Sequence, residues 1–185
     1  MMKKVLFLMA EGFEDIELSA PFDILIRGGV KVTLASIHED SFVESSHGMS
    51  VRADALLSEV RADDFCGLFL PGGGRGVENL RASEDVLDLV RTMYEQNKWV
   101  TAICAGPTVL AAAGILHDKR VTSYPSEAET ILPYCKSYSE DRVVVDGKVV
   151  TSRAAGTAEE FALKFLSLLE GDAKAAEVRK TILAR

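Results

Sequence analysis

Short apolar runs alternate with longer amphipathic stretches along this chain, a pattern that predicts helices packed on a parallel sheet. Val5-Leu6-Phe7-Leu8-Met9-Ala10 is apolar without interruption, as expected of a central strand covered on both faces. Acidic residues from Glu11 to Glu17 then open a helix, where the macrodipole favours negative charge, and it runs to about Arg27 before stopping at Gly28-Gly29. Lys31 to Ile37 reads as the next strand, and the more polar stretch from about Ser41 to Leu57 as a hairpin or a long excursion. Cys66 to Leu70 is another buried strand, ending at Pro71-Gly72-Gly73-Gly74. Ser83-Glu84-Asp85 has the form of an N-cap with an acidic first turn, leading a helix to about Asn97. A strand over Trp99–Ile103, a helix over Pro107–Ala113, a short strand over Arg120–Ser123 and a short helix over Glu127–Leu132 follow. Arg142 to Ser152 reads as a hairpin whose Asp146-Gly147 suits a type I′ turn. Helices over about Ala158–Leu169 and Ala173–Leu183 end the chain. With no repeat or linker, residues 1–185 are expected to form one domain, about 172–185 being a helical extension.

Composition narrows the function classes. A net charge of −7 argues against a surface for duplex nucleic acid, which needs clustered Lys and Arg. No apolar run approaches the ~20 residues of a spanning helix, so no membrane role is expected. Met-Met-Lys-Lys followed by an apolar run is read as a first strand, because acidic residues follow at once where a signal peptide would carry a cleavage site. The three cysteines, Cys66, Cys104 and Cys135, are odd in number and lack ligand-like spacing, so neither disulfides nor a metal site is expected, and a reducing cytoplasm fits best.

Three places carry chemistry. At Ala102-Ile103-Cys104-Ala105-Gly106-Pro107 a strand runs into a cysteine with small neighbours and a helix follows, the cysteine counterpart of a nucleophile elbow. A sulfur at a helix N-terminus is expected to ionise easily, and the N–H of Ala105 can hold an oxyanion. The competing reading is a buried small hydrophobe, which suits Cys66 in its strand; nothing near Cys135 looks able to activate it. The loop Pro71–Gly76 sits at a strand's carboxyl end, where ligand sites collect in open α/β sheets, but it matches neither a Walker loop nor a dinucleotide fingerprint. The acidic turn Glu14-Asp15-Ile16-Glu17 sits at the same edge. One of its carboxyls, turned inward, would be raised in pKa and could share a proton with the thiol; the residues alone do not choose which.

Together Glu14-Asp15-Ile16-Glu17, Leu70-Pro71-Gly72-Gly73, the segment around Cys104 and Thr151-Ser152-Arg153…Gly156-Thr157 resemble the ThiJ/PfpI superfamily, closest to its parkinsonism-associated deglycase branch. The resemblance reaches to about Gly171. It implies a flavodoxin-like three-layer sandwich with a mostly parallel central sheet, usually homodimeric. It also implies that Cys104 is the nucleophile, Glu17 the buried proton shuttle and partner of the sulfur, and Gly73 and Ala105 the oxyanion donors. Gly72, Tyr124 and Arg153 fall at pocket positions. No cofactor is implied. Two departures stand out: Tyr124 occupies a place where many members carry histidine, and the family's Arg-Gly-Pro-Gly-Thr reads Arg153-Ala154-Ala155-Gly156-Thr157. The first, with Ala105 after the cysteine where the protease-like branch has histidine, counts against a Cys-His protease or glutaminase. The expected activity is that of a glyoxalase or deglycase acting on methylglyoxal, related 2-oxoaldehydes or their adducts. The alternatives are a redox-sensing stress protein or chaperone whose Cys104 becomes a sulfinate, and an interaction module without activity.

Overall fold

The computed structural model describes residues 2–184. From the N-terminus, β1 (Lys4–Met9) leads to α1 (Asp15–Arg27), β2 (Lys31–Ser36), and the strands β3 (Phe42–Glu44), β4 (Ser50–Arg52) and β5 (Ala55–Leu56). Then come β6 (Gly67–Leu70), α2 (Gly74–Ala82), α3 (Glu84–Glu95), β7 (Trp99–Ile103) and α4 (Pro107–Ala112). The chain continues through β8 (Arg120–Val121), α5 (Ala128–Ile131), β9 (Ser137–Tyr138), β10 (Val143–Asp146), β11 (Val149–Ser152), α6 (Ala158–Glu170) and α7 (Asp172–Thr181). Seven strands form the main sheet in the order β10-β11-β7-β6-β1-β2-β5, every pairing parallel except β10 with β11.

The alternation of side chains along a strand divides the core in two. Val5, Phe7 and Met9 of β1 join Phe69 and the buried faces of α1, α6 and α7 on one side, with Phe161 and Phe165 at the centre. Leu6, Leu8 and Ala10 join Leu68, Leu70, Val100 and the faces of α2, α3, α4 and α5 on the other. That is why β1 is apolar at every position after Lys4: both faces are covered.

The polar stretch after β2 is a hairpin. β3 and β4 pair in their own two-stranded sheet, and β5 then joins the main sheet beside β2. Four expectations need correcting. The first helix begins at Asp15, not Glu11, because Gly12 turns the chain at φ +87 and Glu14 is the N-cap. Residues 74–82, of which 74–76 were expected in the glycine loop and the rest had no assigned element, are the helix α2; glycine's poor helix propensity hid it. Gly76 is needed there, since a Cβ would stand 2.9 Å from Phe13 N and 3.0 Å from Gly12 C. The strand at Arg120 stops at Val121, because Thr122 N–H turns to the Thr151 hydroxyl. The β10–β11 turn has positive φ at Gly147 but not at Lys148, the pattern of a type II′ turn.

Consecutive strands step outward from β1 to β2, then return to place β6 on β1's other side. In open α/β sheets the crevice at such a reversal, outside the carboxyl ends of the strands, is where ligands bind. The loops after β1, β6 and β7 all open there.

Candidate active site

Cys104 is the first residue past β7, and it is left-handed, at φ +63. A non-glycine residue in that region costs about 1–3 kcal/mol and persists only where its surroundings hold it. Here Cys104 N–H donates to the Ser152 carbonyl (3.0 Å), and its own carbonyl accepts from Tyr124 N–H (2.8 Å). Gly106 completes the corner: a Cβ there would stand 2.8 Å from the Ile103 carbonyl oxygen and 2.9 Å from that of Leu70.

Glu17, in the first turn of α1, is only 1% exposed. Its Oε2 accepts from Gly72 N–H at 2.8 Å, the Ala155 N–H also donates to the carboxyl, and the side chain hydrogen-bonds Cys104. The two side chains meet over Gly72, where a Cβ would lie 2.4 Å from Glu17 Oε2, 2.6 Å from Cys104 Cβ and 3.2 Å from its sulfur. Only glycine fits. The acidic turn therefore resolves into three roles. Glu17 points inward. Glu14 caps the helix by accepting Glu17 N–H at 2.7 Å. Asp15 faces the β3–β4 turn, bonded to Ser45 Oγ (2.6 Å) and His47 Nδ1 (2.7 Å).

Burial pushes the Glu17 carboxyl up to about 7; the Glu14 charge adds to this, while the bonds from Cys104, Gly72 and Ala155 oppose it. The cysteine does not behave as its place before a helix suggests. Burial, then the charge and hydrogen bond of Glu17, push the thiol up to about 12, against the N–H groups of Ala105 and Gly73. The physical reason is plain: α4 is only six residues long and is capped at Gly106, two residues past the sulfur, whereas Glu17 is in contact. A thiolate forms here when Glu17 keeps the proton. The two groups titrate as a pair that shares one proton near neutrality.

Gly73 and Ala105 both direct N–H groups at the sulfur. Gly73 has φ +96, and a Cβ on it would stand 2.3 Å from the Gly12 carbonyl oxygen, so the loop is locked against the turn after β1. Tyr124 reaches the site through its backbone, while its ring is 46% exposed. The Arg153 guanidinium is held by the Glu140 carbonyl (2.9 Å), and its main-chain N–H by Thr157 Oγ1 (3.2 Å). His38 accepts from Glu11 N–H, and His117 is exposed past α4. Cys66 precedes β6 and is half-buried, donating to the Lys4 carbonyl, which corrects its expected place in the core. Burial pushes the thiols of both Cys66 and Cys135 up. Two contributors escaped the sequence reading: the Ala155 N–H and the Glu14 cap. The latter had a signal, a carboxylate three residues before Glu17; a main-chain donor such as Ala155 leaves none.

No helix among the described residues is long and apolar enough to cross a membrane. The model of the DJ-1/PfpI family matches residues 3–168. Protein dj-1beta of Drosophila melanogaster is 40% identical over 185 residues, 99% of this chain and 98% of the relative. Deglycase PfpI of Pyrococcus furiosus is 37% identical over 167 residues, 90% of this chain and 99% of the relative. The crystal structure of Drosophila melanogaster DJ-1beta superimposes with a TM-score of 0.96 at 38% identity, covering 100% of both chains. That of oxidized Toxoplasma gondii DJ-1 gives 0.92 at 33%, covering 98% of each.

Proposed function

This chain belongs to the DJ-1/PfpI family, with its flavodoxin-like fold, and from that premise we propose that it is a cysteine-dependent, cofactor-independent enzyme of carbonyl stress, a glyoxalase or deglycase acting on methylglyoxal, related 2-oxoaldehydes or their adducts. The observation that carries this reading is the buried Glu17 carboxyl, poised at about 7 and hydrogen-bonded to the Cys104 sulfur. A group that titrates near the operating pH can both give and take a proton.

The proposed course begins with Glu17 protonated and Cys104 as thiolate. The sulfur adds to the aldehyde carbon, and the N–H groups of Gly73 and Ala105 hold the developing oxyanion until it takes the Glu17 proton. The carboxylate so formed removes the hydrogen from that carbon and returns a proton to the neighbouring one, while the hydroxyl proton passes to the neighbouring oxygen, converting the hemithioacetal into a thioester. Water cleaves the thioester, giving the 2-hydroxy acid and restoring the thiol. Substrate plus water equals product, with no net oxidation and no external electron carrier. Lactate should form from methylglyoxal without glutathione. Cys104→Ala should abolish it, and Glu17→Ala should lower it about 10²–10⁴-fold. Undiminished turnover in both variants would refute the scheme.

A second reading has its own support. Cys104 is half-buried, not sealed, and two N–H groups already point at its sulfur, so the same cradle would hold a sulfinate. Two equivalents of peroxide would each deliver one oxygen to sulfur and leave as water. Graded peroxide followed by mass spectrometry separates the readings: double oxygenation at Cys104 without turnover supports a sensor, and first oxidation at Cys66 or Cys135 removes its basis. A homodimer is proposed as well, supported by apolar side chains exposed on α1 and the adjoining hairpin, Ile16, Ile26 and Met49 among them.

A further inference from the structure

The mechanism leaves one charged residue at the site unused. Glu14 is half-buried and N-caps α1, a position where Ser, Thr, Asp or Asn is usual and a glutamate is not. Its bonds close a ring around the reactive pair. Glu14 N–H donates to the Gly72 carbonyl (3.0 Å), Gly72 N–H donates to Glu17 Oε2 (2.8 Å), and Glu17 N–H donates to Glu14 Oε2 (2.7 Å). The ring ties the carboxyl that faces the sulfur to the glycine both side chains rest on.

Charge is the second link. Carboxylate oxygens of Glu14 and Asp15 and a ring nitrogen of His47 lie within 4.8 Å of one another at the edge of the site. Asp15 and His47 form an ion pair, so with His47 protonated their charges largely cancel and Glu14 is left as the net negative charge nearest Glu17. The groups facing Glu17 are thus Cys104 from the elbow and Glu14 from its own turn; those facing Glu14 are Asp15 and, from the hairpin, His47. The Glu14 charge, in the same turn as Glu17 and hydrogen-bonded to its N–H, raises that carboxyl, while the largest causes acting on Cys104 are burial, Glu17 and the two N–H groups. A negative charge felt more by the carboxyl than by the sulfur biases the shared proton toward the carboxyl and the anion toward sulfur.

We propose that Glu14 is a positioning residue for the Glu17–Cys104 pair: its cap holds the carboxyl against the sulfur, and its charge biases the shared proton toward Glu17, so that more of Cys104 is present as the anion. This rests on the pairing of Glu17 with Cys104 set out above.

The test is the rate of Cys104 alkylation by iodoacetamide from pH 4 to 10, with thermal melting of every variant. Glu14→Gln keeps an oxygen for the cap and removes the charge. It should melt close to the wild type yet lower the neutral-pH alkylation plateau about three- to tenfold, the scale of one charge acting across several ångströms near a protein surface, and move the acid limb to lower pH. Glu14→Asp keeps both cap and charge and should restore the wild-type profile. Glu14→Ala loses both, and should add a fall in Tm of about 2–4 °C. A Glu14→Gln profile that superimposes on the wild type, or a Glu14→Asp variant that melts normally and is not restored, overturns the inference. Glu17→Gln is the control: if it too leaves the profile unchanged, the pairing itself has failed; if only Glu17→Gln changes it, the role of Glu14 alone has.

Discussion

A buried carboxyl that titrates at about 7 is at ease only while protonated, and Glu17 should impose that preference on the stability of the fold. Its reference value is 4.5, so the folded state holds the proton more tightly than the unfolded one. The stabilisation is therefore complete below about pH 4.5 and is lost as pH rises to about 7. The loss across that window is on the order of 3 kcal/mol, since each pH unit of difference corresponds to about 1.4 kcal/mol. Glu17→Gln cannot ionise. Its stability relative to the wild type should rise steadily between pH 4.5 and 7 in urea titrations, and a gap that stays constant with pH would contradict the assignment. Cys104 and Glu17 were both legible as candidates in the sequence, the one from its small neighbours and the other from the resemblance. What could not be read was their mutual influence. The helix after Cys104 suggested an acidic thiol, whereas burial first, and then contact with a carboxyl from a turn 87 residues earlier, reverse the sign.

At the scale of elements, the site is a meeting of loops, and Gly73 is the pin between two of them. It caps α2 at φ +96, and a Cβ on it would stand 2.3 Å from the Gly12 carbonyl oxygen and 2.8 Å from Glu14 N of the turn after β1. Gly73→Ala must strain the backbone and push that turn away. We expect a loss of about 2–4 kcal/mol, from a left-handed alanine together with a backbone clash. Alkylation of Cys104 at pH 7 should slow as well, because the N–H cradle moves. A variant as stable and as reactive as the wild type would show that the loop is not locked. Elements with strong periodicity were legible: β1, β7, α3 and α6 lie within a residue or two of their expected bounds. α2 was not, because three of its first positions in and around the cap are Gly73, Gly74 and Gly76, and two of them, Gly73 and Gly76, serve close approach to Gly12 and Phe13, a tertiary demand that outweighs local propensity. The hairpin β3–β4 was open between two readings, since three-residue strands with a single inward residue each, buried Val43 and half-buried Val51, carry little alternation.

For the whole molecule, the expected dimer is checked by light scattering on the eluting protein. A mass near 40 kDa, twice 20.1 kDa, is expected for the wild type. Ile26→Glu, which puts a charge on the exposed face of α1 away from Cys104, should shift the protein toward 20.1 kDa. A wild type that elutes as a single chain would exclude the dimer. The layered architecture was the most legible property of all, because unbroken apolar strands such as β1 admit only a sheet covered on both faces. Which strand ends adjoin was not legible, as that depends on the order in which the sheet winds outward and returns.

The bond from Cys104 N–H to the Ser152 carbonyl has one more implication. β11 is the last strand made as the chain leaves the ribosome, so the left-handed elbow lacks this one of its two anchors until some fifty residues beyond the cysteine have emerged. The pairing of Cys104 with Glu17 and with the N–H groups of Gly73 and Ala105 thus belongs to the closed sheet and to no shorter stretch of the chain.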